Sequence, residues 1–383
     1  MKSKISMTST SLSYQARLNS IDALRGLAAL TVVFYHARPM FWVGLGEIWK
    51  QYGLSIDINS WLGYATAPLY FGGLAVNLFF IISGYCIHRR GAQQLISDCK
   101  TSLNLKQYAI RRIWRIYPTY IAALLITALV DTYVRTHYPA EVDSRQSNSL
   151  FTFIMSLLAL PGLAAPYFGS NTVFWTLALE IHFYIVYPIL FYISRKYGVV
   201  KTLALTFTIS LIYISGDFLL NLSDLLPYRG SGNPIFLPFL FTWTFGFYLA
   251  EVEAGRAALP KRYWLIATLG VIIVLIASLF ELSSLVAFSS TLPLGGLLYW
   301  SIKPQGNKFW SCKLGSLFTK LGLFSYSLYA IHRPVLLFIK ISVAPLGERF
   351  LTLIPTLSAS SLAVLVAWFF FLLVEKRTLK PIG

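Results

Sequence analysis

Long apolar runs separated by short basic links organise the chain. A helix that crosses a membrane needs about 20 mostly apolar residues. On that criterion we predict ten spanning helices, near residues 21–43, 65–87, 110–130, 173–193, 199–220, 234–252, 263–280, 284–302, 321–343 and 353–374. One further apolar run, residues 150–163, is shorter than a span. The pattern therefore predicts an all-α fold, a polytopic membrane bundle of about ten transmembrane helices.

The distribution of charge predicts which links face the cytoplasm. The segment from His88 to Arg115 carries seven lysines and arginines against one acid, Asp98. Cytoplasmic links are enriched in such residues, so this segment is expected inside the cell. The links 194–201, 253–262 and 303–320 and the tail from Lys376 are also basic. Both termini are therefore expected in the cytoplasm.

The same rule assigns the short run 150–163. The span before it is expected to exit outward and the span after it to start outside, so an even number of crossings must separate them. One run of fourteen residues cannot supply two crossings. We predict a re-entrant or interfacial segment on the outer side of the membrane.

The domain organisation follows from these spans. Residues 1–20 are predicted to form a cytoplasmic tail, residues 21–375 a single transmembrane domain and residues 376–383 a second cytoplasmic tail. The first span contains Asp22 and Arg25 and lacks a clean cleavage site, so it is interpreted as an anchor and not as a removed signal peptide. The sequence contains no internal repeat and no long stretch outside the membrane.

Composition excludes several classes of protein. Of the 383 residues only 12% are charged, against about 25% in soluble domains, and 56% are hydrophobic. The net charge of +17 lies in clusters between apolar runs, so we expect membrane lipid around the chain and no nucleic-acid partner. Cys86, Cys99 and Cys312 have the spacing of neither a disulfide framework nor a metal site.

The first span carries two ionisable side chains on one face. Arg25 and His36 are eleven residues apart, which is about three helical turns and about 16 Å along the axis. Gly26 leaves room beside them for another backbone or a slender ligand. A ligand with an anionic end near the cytoplasm and a reactive end near a neutral imidazole would fit. Alternatively, Arg25 extends to the interface and His36 bonds to a neighbouring helix.

A second basic pair begins the third span. Arg112 and Arg115 share a helix face at its cytoplasmic start, and two guanidinium groups there could hold phosphates. The same pair would serve equally as a positive anchor on the inner side of the membrane.

The fourth span carries a carboxylate. Thr176, Glu180, Tyr184 and Tyr187 share one face, and Glu180 is expected about two turns in from the outer surface. His36 has a similar predicted depth, and a carboxylate away from water needs a partner such as a histidine or an arginine. Glu180 and Tyr184 are therefore candidates for one pocket.

Polar side chains inside other spans complete the candidate pocket, since ionisable and polar groups there are costly. Asn77 suits either a structural or a functional role, whereas Ser83 precedes a glycine and favours close helix packing. The candidates other than those above are Asp22, Asn77, Ser83, Tyr329 and His332.

Three further polar residues are assigned to the membrane boundary or left open. His88 and His137 lie at or beyond span ends and are expected to be solvated. Lys340 suits an interfacial position, where its side chain would extend to the headgroups. This role for Lys340 and a pocket-lining role for His332 are equally consistent with the sequence.

In order along the chain, these motifs resemble the integral-membrane acyltransferase family 3. The matching motifs are Asp22-x-x-Arg25-Gly26 with His36, Leu78-Phe79-Phe80-x-x-Ser83-Gly84-Tyr85, Arg112-x-x-Arg115 with Tyr117-Pro118-x-Tyr120, Trp175-Thr176-Leu177-x-x-Glu180-x-x-Phe183-Tyr184-x-x-x-Pro188, Ser325-Tyr326-Ser327-Leu328-Tyr329-x-x-His332-x-Pro334 and Val374-Glu375-Lys376. Two positions depart from the family: Asn77 stands where an acid is common, and Arg377 stands where a proline is usual.

The resemblance implies a ten-helix transferase in the cytoplasmic (inner) membrane. It would move an acyl group from cytoplasmic acyl-CoA, with acetyl-CoA the default donor, to a hydroxyl of an extracytoplasmic carbohydrate or glycolipid, without a metal. His36 would be the catalytic base, oriented by Glu180, while Arg25, Arg112 and Arg115 would be residues on the cofactor side. Since the chain stops after the last helix, all chemistry is expected in the membrane domain.

A transporter or flippase is the rival function. In it, Arg25, His36, Glu180 and His332 would line a polar path through the membrane. Such a protein would show paired helices interrupted by glycine or proline in two related halves, a pattern that this sequence lacks.

Overall fold

The structure is a computed structural model and consists of α-helices joined by short links. It describes residues 2–53, 57–139, 146–161, 163–220, 235–280, 282–345 and 347–378, without the side chains of residues 2–16, 70 and 283. The described helices are α1 (Lys2–Phe41), α2 (Leu45–Tyr52), α3 (Ile58–Ala65), α4 (Gly72–Ser97), α5 (Leu105–His137), α6 (Leu150–Leu157), α7 (Phe174–Tyr197), α8 (Val199–Leu220), α9 (Leu237–Glu253), α10 (Tyr263–Leu279), α11 (Ser283–Ser289), α12 (Thr291–Ser301), α13 (Pro304–Trp310), α14 (Lys313–Leu323), α15 (Ser325–Val343), α16 (Ile354–Phe370) and α17 (Lys376–Thr378). A 3₁₀ turn (Ala67–Phe71) precedes α4, and a π-helical turn (Phe371–Glu375) joins α16 to α17.

The prediction of an all-α membrane bundle is confirmed. Every predicted span coincides with helix in the described part of the chain, although residues 284–302 form two short helices, α11 and α12. Among the described residues, five helices are long and apolar enough to cross a membrane, and the number is seven if each of two sharply bent helix pairs counts as one span. The count of ten spans stays a prediction. The link 221–233 and the end of the C-terminal tail, 379–383, lie outside the described residues.

The basic links meet at one end of the bundle, here called the basic end. Arg195 donates to the carbonyl oxygens of Lys100 and Thr101 at 3.1 Å, which joins the link after α7 to the link after α4. Glu253 at the end of α9 pairs with Arg17 at 2.9 Å and with Arg89 at 3.1 Å. Links that the sequence predicts on one side of the membrane therefore lie together.

The segment around the short run 150–163 enters and leaves at the opposite end. Its helix α6 has eight residues, which is about 12 Å of length against about 30 Å for the hydrocarbon core. The amide of Gly169 donates to the carbonyl oxygen of Ser147 at 2.9 Å, so the two flanks of the segment touch. Asp131 fixes them to α5, accepting hydrogen bonds from Ser170 and Asn148. This geometry agrees with a segment that does not cross the membrane.

Glycines allow the helices that carry the candidate residues to approach closely. A Cβ atom at Gly84 of α4 would lie 2.0 Å from the carbonyl oxygen of Trp243, and one at Gly246 of α9 would lie 1.8 Å from that of Ile81. Likewise, a Cβ at Gly26 of α1 would lie 2.0 Å from the carbonyl oxygen of Phe318 in α14. Small residues at such crossings let backbones pack directly against one another in lipid. The room beside Gly26 is thus filled by a backbone.

Candidate active site

A cavity of about 770 Å³, the basic-end cavity, opens among α4, α5, α7 and α15. Five arginines line it, namely Arg25, Arg90, Arg111, Arg112 and Arg115, and Glu180 is the one carboxylate among its described lining residues. Tyrosine rings, including Tyr108, Tyr184 and Tyr326, form much of the remaining wall. Its volume is in the range of small-molecule and cofactor sites, and its charge favours an anionic ligand.

Arg112 and Arg115 both line this cavity, but their partners differ. Arg115 donates to the carboxylate of Glu375 at 2.6 Å, and Glu375 is fully buried. The guanidinium of Arg112 instead lies over the rings of Tyr108 and Tyr184, 5.8 and 5.7 Å from their centroids. Its buried Nε atom has no hydrogen-bond partner among the described residues. Among the described residues, Arg115 is therefore paired with a carboxylate, whereas Arg112 forms no ion pair.

Arg25 lies in the wall of the same cavity, as the sequence predicts for the anionic end of a ligand. It donates to Asp22 at 3.3 Å and contacts the sulfur of Cys86 at 3.5 Å. Asp22 itself does not line this cavity, so its contact with it is through Arg25.

Glu180 also belongs to the basic-end cavity and not to the surroundings of His36. Its Oε1 atom accepts hydrogen bonds from the hydroxyls of Tyr184 at 2.5 Å and Ser83 at 3.3 Å. The expectation that Glu180 orients His36 is therefore wrong for this structure. The segment before α7 is folded into the bundle, with Tyr167, Phe168 and Asn171 buried, so the start of α7 does not mark the membrane surface.

A second cavity of about 650 Å³, the opposite-end cavity, enters from the other end of the bundle. His36 lines it together with Arg38, Trp42, Trp175 and Arg349. Val76 and Tyr329 line both cavities, so the two meet at these side chains near the middle of the bundle. Ligands in the two cavities would thus come closest to each other at Val76 and Tyr329.

His36 faces a second histidine at this meeting point. The Nε2 atom of His332 lies 3.0 Å from the Nδ1 atom of His36. His332 Nδ1 contacts the carbonyl oxygens of Leu328 and Tyr329, and His36 Nδ1 contacts that of Val32 at 3.1 Å. Since carbonyl oxygens only accept, both Nδ1 atoms are assigned the proton. His36 then donates to His332 and keeps its Nε2 lone pair free to take a proton.

Tyr329 is held at the wall between the cavities. Its hydroxyl lies 2.6 Å from that of Thr176, which in turn donates to the carbonyl oxygen of Val173 at 2.8 Å. The proton of Thr176 is thus committed, so Tyr329 donates to Thr176. The helix face that the sequence predicts lines the basic-end cavity directly, with Thr176, Glu180, Tyr184 and Tyr187.

Asn77 is part of a helix contact and lines neither cavity. Its amide nitrogen donates to Ser290 at 3.0 Å and to the carbonyl oxygen of Ala287 at 3.3 Å, which ties α4 to the break between α11 and α12. The sequence leaves a structural and a functional role open for Asn77, and these contacts support the structural role.

His88 contradicts the expectation of a solvated histidine. It is fully buried, stacks on Phe247 with ring centroids 3.3 Å apart, and its Nε2 atom lies 2.7 Å from the carboxylate of Glu251. Arg256 pairs with the other oxygen of Glu251 at 2.6 Å. Sequence reasoning missed this network because α9, which supplies Glu251, is far from His88 in the chain.

Lys340 is likewise buried, so its side chain does not extend to the protein surface as an interfacial lysine would. Its ammonium group contacts the carbonyl oxygen of Glu348 and lies 5.4 Å from the ring centroid of Phe350. The remaining histidine prediction fits, since His137 is exposed at the end of α5.

Comparison with known proteins identifies a family. A family described as an acyltransferase domain matches residues 18–372. The chain is 28% identical over 237 residues to a putative acetyltransferase, ORF330, of Acidianus two-tailed virus, covering 61% of this chain and 56% of that protein. It is 24% identical over 189 residues to the peptidoglycan O-acetyltransferase OatA of Listeria monocytogenes, covering 46% of this chain and 25% of that protein.

These matches are partial in length. An uncharacterised protein of Haemophilus influenzae is 28% identical over 145 residues, which is 36% of this chain and 56% of that protein. The chain thus spans between a quarter and about half of the length of the curated relatives that it matches. No solved structure matches the chain. Because the family match covers nearly the whole sequence, the chain belongs to this acyltransferase family.

Proposed function

We propose, from the premise that the chain belongs to the acyltransferase family, that it is an O-acyltransferase of the cytoplasmic membrane. It takes an acyl group, with acetyl as the default, from acyl-CoA at the basic end and passes it to a hydroxyl of a glycan or glycolipid at the opposite end. One observation carries the proposal: two cavities from opposite ends meet at Val76 and Tyr329, beside His36. The name of the relative OatA, a peptidoglycan O-acetyltransferase, supports a glycan acceptor.

The basic-end cavity suits the donor. Coenzyme A carries its phosphates at one end and its thioester at the other, on a long slender arm. Five arginines surround the cavity entrance and walls, and guanidinium groups bind phosphate with charge-assisted hydrogen bonds. The positive charge at this end also favours a cytoplasmic orientation, where acyl-CoA is available. The arm would then run along the wall that Arg25 and Tyr329 form.

His36 would act as the general base from the acceptor side. Its Nε2 lone pair takes the proton of the acceptor hydroxyl while that oxygen attacks the thioester carbonyl carbon. The tetrahedral intermediate then expels the thiolate of coenzyme A as the carbon–sulfur bond breaks, and the thiolate takes the proton back from His36. His332 accepts the Nδ1 hydrogen of His36 and so holds the ring in the required tautomer.

His36→Gln and His36→Ala test this function. The assay supplies membranes that contain the full chain with radiolabelled acetyl-CoA and measures base-labile acetyl groups in envelope glycans, normalised to the amount of protein. General-base catalysis contributes about 10²–10⁴-fold, so both variants should retain at most a few per cent of the transfer. The glutamine keeps hydrogen bonding but cannot take the proton.

His137→Gln is the matched control, because His137 is exposed at the end of α5, contacts Tyr133 and lines neither cavity. It should transfer acetyl groups at the normal rate. Transfer by His36→Gln at a rate close to that of the unchanged protein would contradict the assignment of His36 as the base.

A further inference from the structure

The charge of the opposite-end cavity is positive. Its described lining residues include Arg38, Arg349 and His36 but no aspartate and no glutamate. Uncharged sugars need no such charge, because their hydroxyls are satisfied by neutral donors and acceptors. A cavity with arginines and no carboxylate in its wall instead stabilises a negative group on its occupant.

The guanidinium of Arg38 is fixed by contacts on one side and, within the described part of the chain, keeps unused hydrogen-bond donors on the other. It is 9% exposed, its Nη1 atom donates to the carbonyl oxygen of Thr66 at 2.7 Å, and its guanidinium lies 4.8 Å from the ring centroid of Trp42. Its Nε atom is buried and has no hydrogen-bond partner among the described residues. The Nη1 atom is occupied by the backbone, so the edge formed by Nε and Nη2 remains. That edge matches the two oxygens of a carboxylate or phosphate.

The rest of the cavity suits a sugar ring. Tyr35, Trp42 and Trp175 supply aromatic side chains, which present flat apolar faces beside polar edges. Arg38 follows His36 by two residues on α1, which is about 3 Å along the helix axis toward the opposite end. Arg349 is exposed and also lines this cavity. Because Arg38 and His36 line the same cavity, one saccharide there could place its anionic group at Arg38 and a hydroxyl at His36.

We propose that the acceptor is an anionic saccharide, in which a carboxylate or phosphate close to the acylated hydroxyl binds the free edge of Arg38. This inference rests on the proposed acyltransferase function and specifies its acceptor. Arg349 adds positive charge in the same cavity. The arrangement favours anionic over neutral glycans, because a carboxylate or phosphate accepts charge-assisted hydrogen bonds from Arg38 that are stronger than those a sugar hydroxyl accepts.

Binding of saccharide probes to the purified protein tests the proposed preference for an anionic acceptor. The probes are a galacturonate trisaccharide, the corresponding neutral galactose trisaccharide and glucose 1-phosphate with glucose as its neutral counterpart. Titration calorimetry in detergent measures each dissociation constant. At least one anionic probe should bind about tenfold or more tightly than its neutral counterpart, as expected for charge-assisted hydrogen bonds. The pair that shows the difference identifies the carboxylate or the phosphate as the recognised group.

Arg38→Gln should abolish this preference, whereas Lys50→Gln should retain it. Lys50 is the matched control: it lies at the same end on α2, pairs with Glu47 and does not line the cavity. If Arg38→Gln does not fold, Arg349→Gln, an exposed position, should reduce the preference about threefold and weaken its dependence on salt.

Equal binding of anionic and neutral probes, no binding of either anionic probe, or an unchanged preference in the folded arginine variants would overturn the inference. Its failure is separable from that of the acyltransferase proposal. His36→Gln should keep the binding preference while losing acetyl transfer, so binding reports on the acceptor class and transfer reports on the reaction.

Discussion

Arg112 and Arg115 should respond differently to the same substitution, although they lie three residues apart in the wall of one cavity. Arg115→Gln removes the partner of Glu375, whose carboxylate is fully buried. Breaking a buried ion pair from one side costs about 3–5 kcal/mol. Ser327 still donates to Glu375 through its amide at 3.1 Å and its hydroxyl at 2.5 Å, and Arg115 itself is 32% exposed. We therefore expect the low end, about 3 kcal/mol of lost stability.

Arg112→Gln removes no ion pair. The guanidinium lies over two tyrosine rings, and such contacts are worth about 0.5–1 kcal/mol at exposed sites. Stability should therefore change little. Binding of acetyl-CoA should weaken by about ten- to a hundredfold, because a hydrogen bond to a charged group contributes about 1.5–3 kcal/mol.

Two measurements on the purified protein separate these effects. Thermal unfolding should show a melting temperature lower by about 5 °C for Arg115→Gln and nearly unchanged for Arg112→Gln. The double variant Arg115→Gln with Glu375→Gln should regain most of the loss, since no buried charge is then left unpaired. Calorimetry with acetyl-CoA should show the weaker binding in Arg112→Gln. Equal stability of the two single variants, or undiminished acetyl-CoA binding by Arg112→Gln, would refute the reasoning.

Two further predictions concern the histidine contact and the helix crossing. His332→Leu should slow acetyl transfer about tenfold or more and shift the pH profile of transfer, without weakening acetyl-CoA binding. His332→Gln, which keeps a hydrogen-bond acceptor, should restore most of the rate. Unchanged rates in both variants would contradict a positioning role for His332. Gly246→Ala should cost about 1–3 kcal/mol or more in thermal unfolding, because its Cβ would lie 1.8 Å from a carbonyl oxygen of α4. Gly46→Ala is the control, since nothing lies within 4 Å of a Cβ there, and equal stability of the two variants would exclude close packing at the crossing.

Charge and hydropathy predicted the large-scale arrangement of the chain. Arg195, near the end of α7, donates to the carbonyl oxygens of Lys100 and Thr101 in the link after α4, and Glu253 at the end of α9 pairs with Arg89 of α4. The short helix α6 is flanked by Ser147 and Gly169, which touch. These features depend on the lengths of the apolar runs and on the charges of the links, both of which can be read directly from the sequence.

The partners of the polar side chains could not be predicted in the same way. The depth of Glu180 was estimated from the start of its helix, but the buried segment before α7 displaces that helix relative to the surface. His36 meets His332 only because α1 and α15 cross at that level, which no spacing within either helix encodes. Glu251 similarly reaches His88 across the α4–α9 crossing. Contacts between distant helices depend on tilt and packing, whereas a sequence pattern describes one helix at a time.

The sidedness of acetyl transfer tests the central claim most directly. Sealed membrane vesicles of both orientations receive labelled acetyl-CoA on the outside only, and base-labile label is then measured inside and outside each population. The two-cavity arrangement predicts that inverted vesicles, whose basic end faces outward, accumulate O-acetyl label in their lumen. Right-side-out vesicles should stay unlabelled unless acetyl-CoA is loaded inside them. Equal labelling of both populations by external acetyl-CoA, or product on the same side as the donor, would contradict transfer from one cavity to the other.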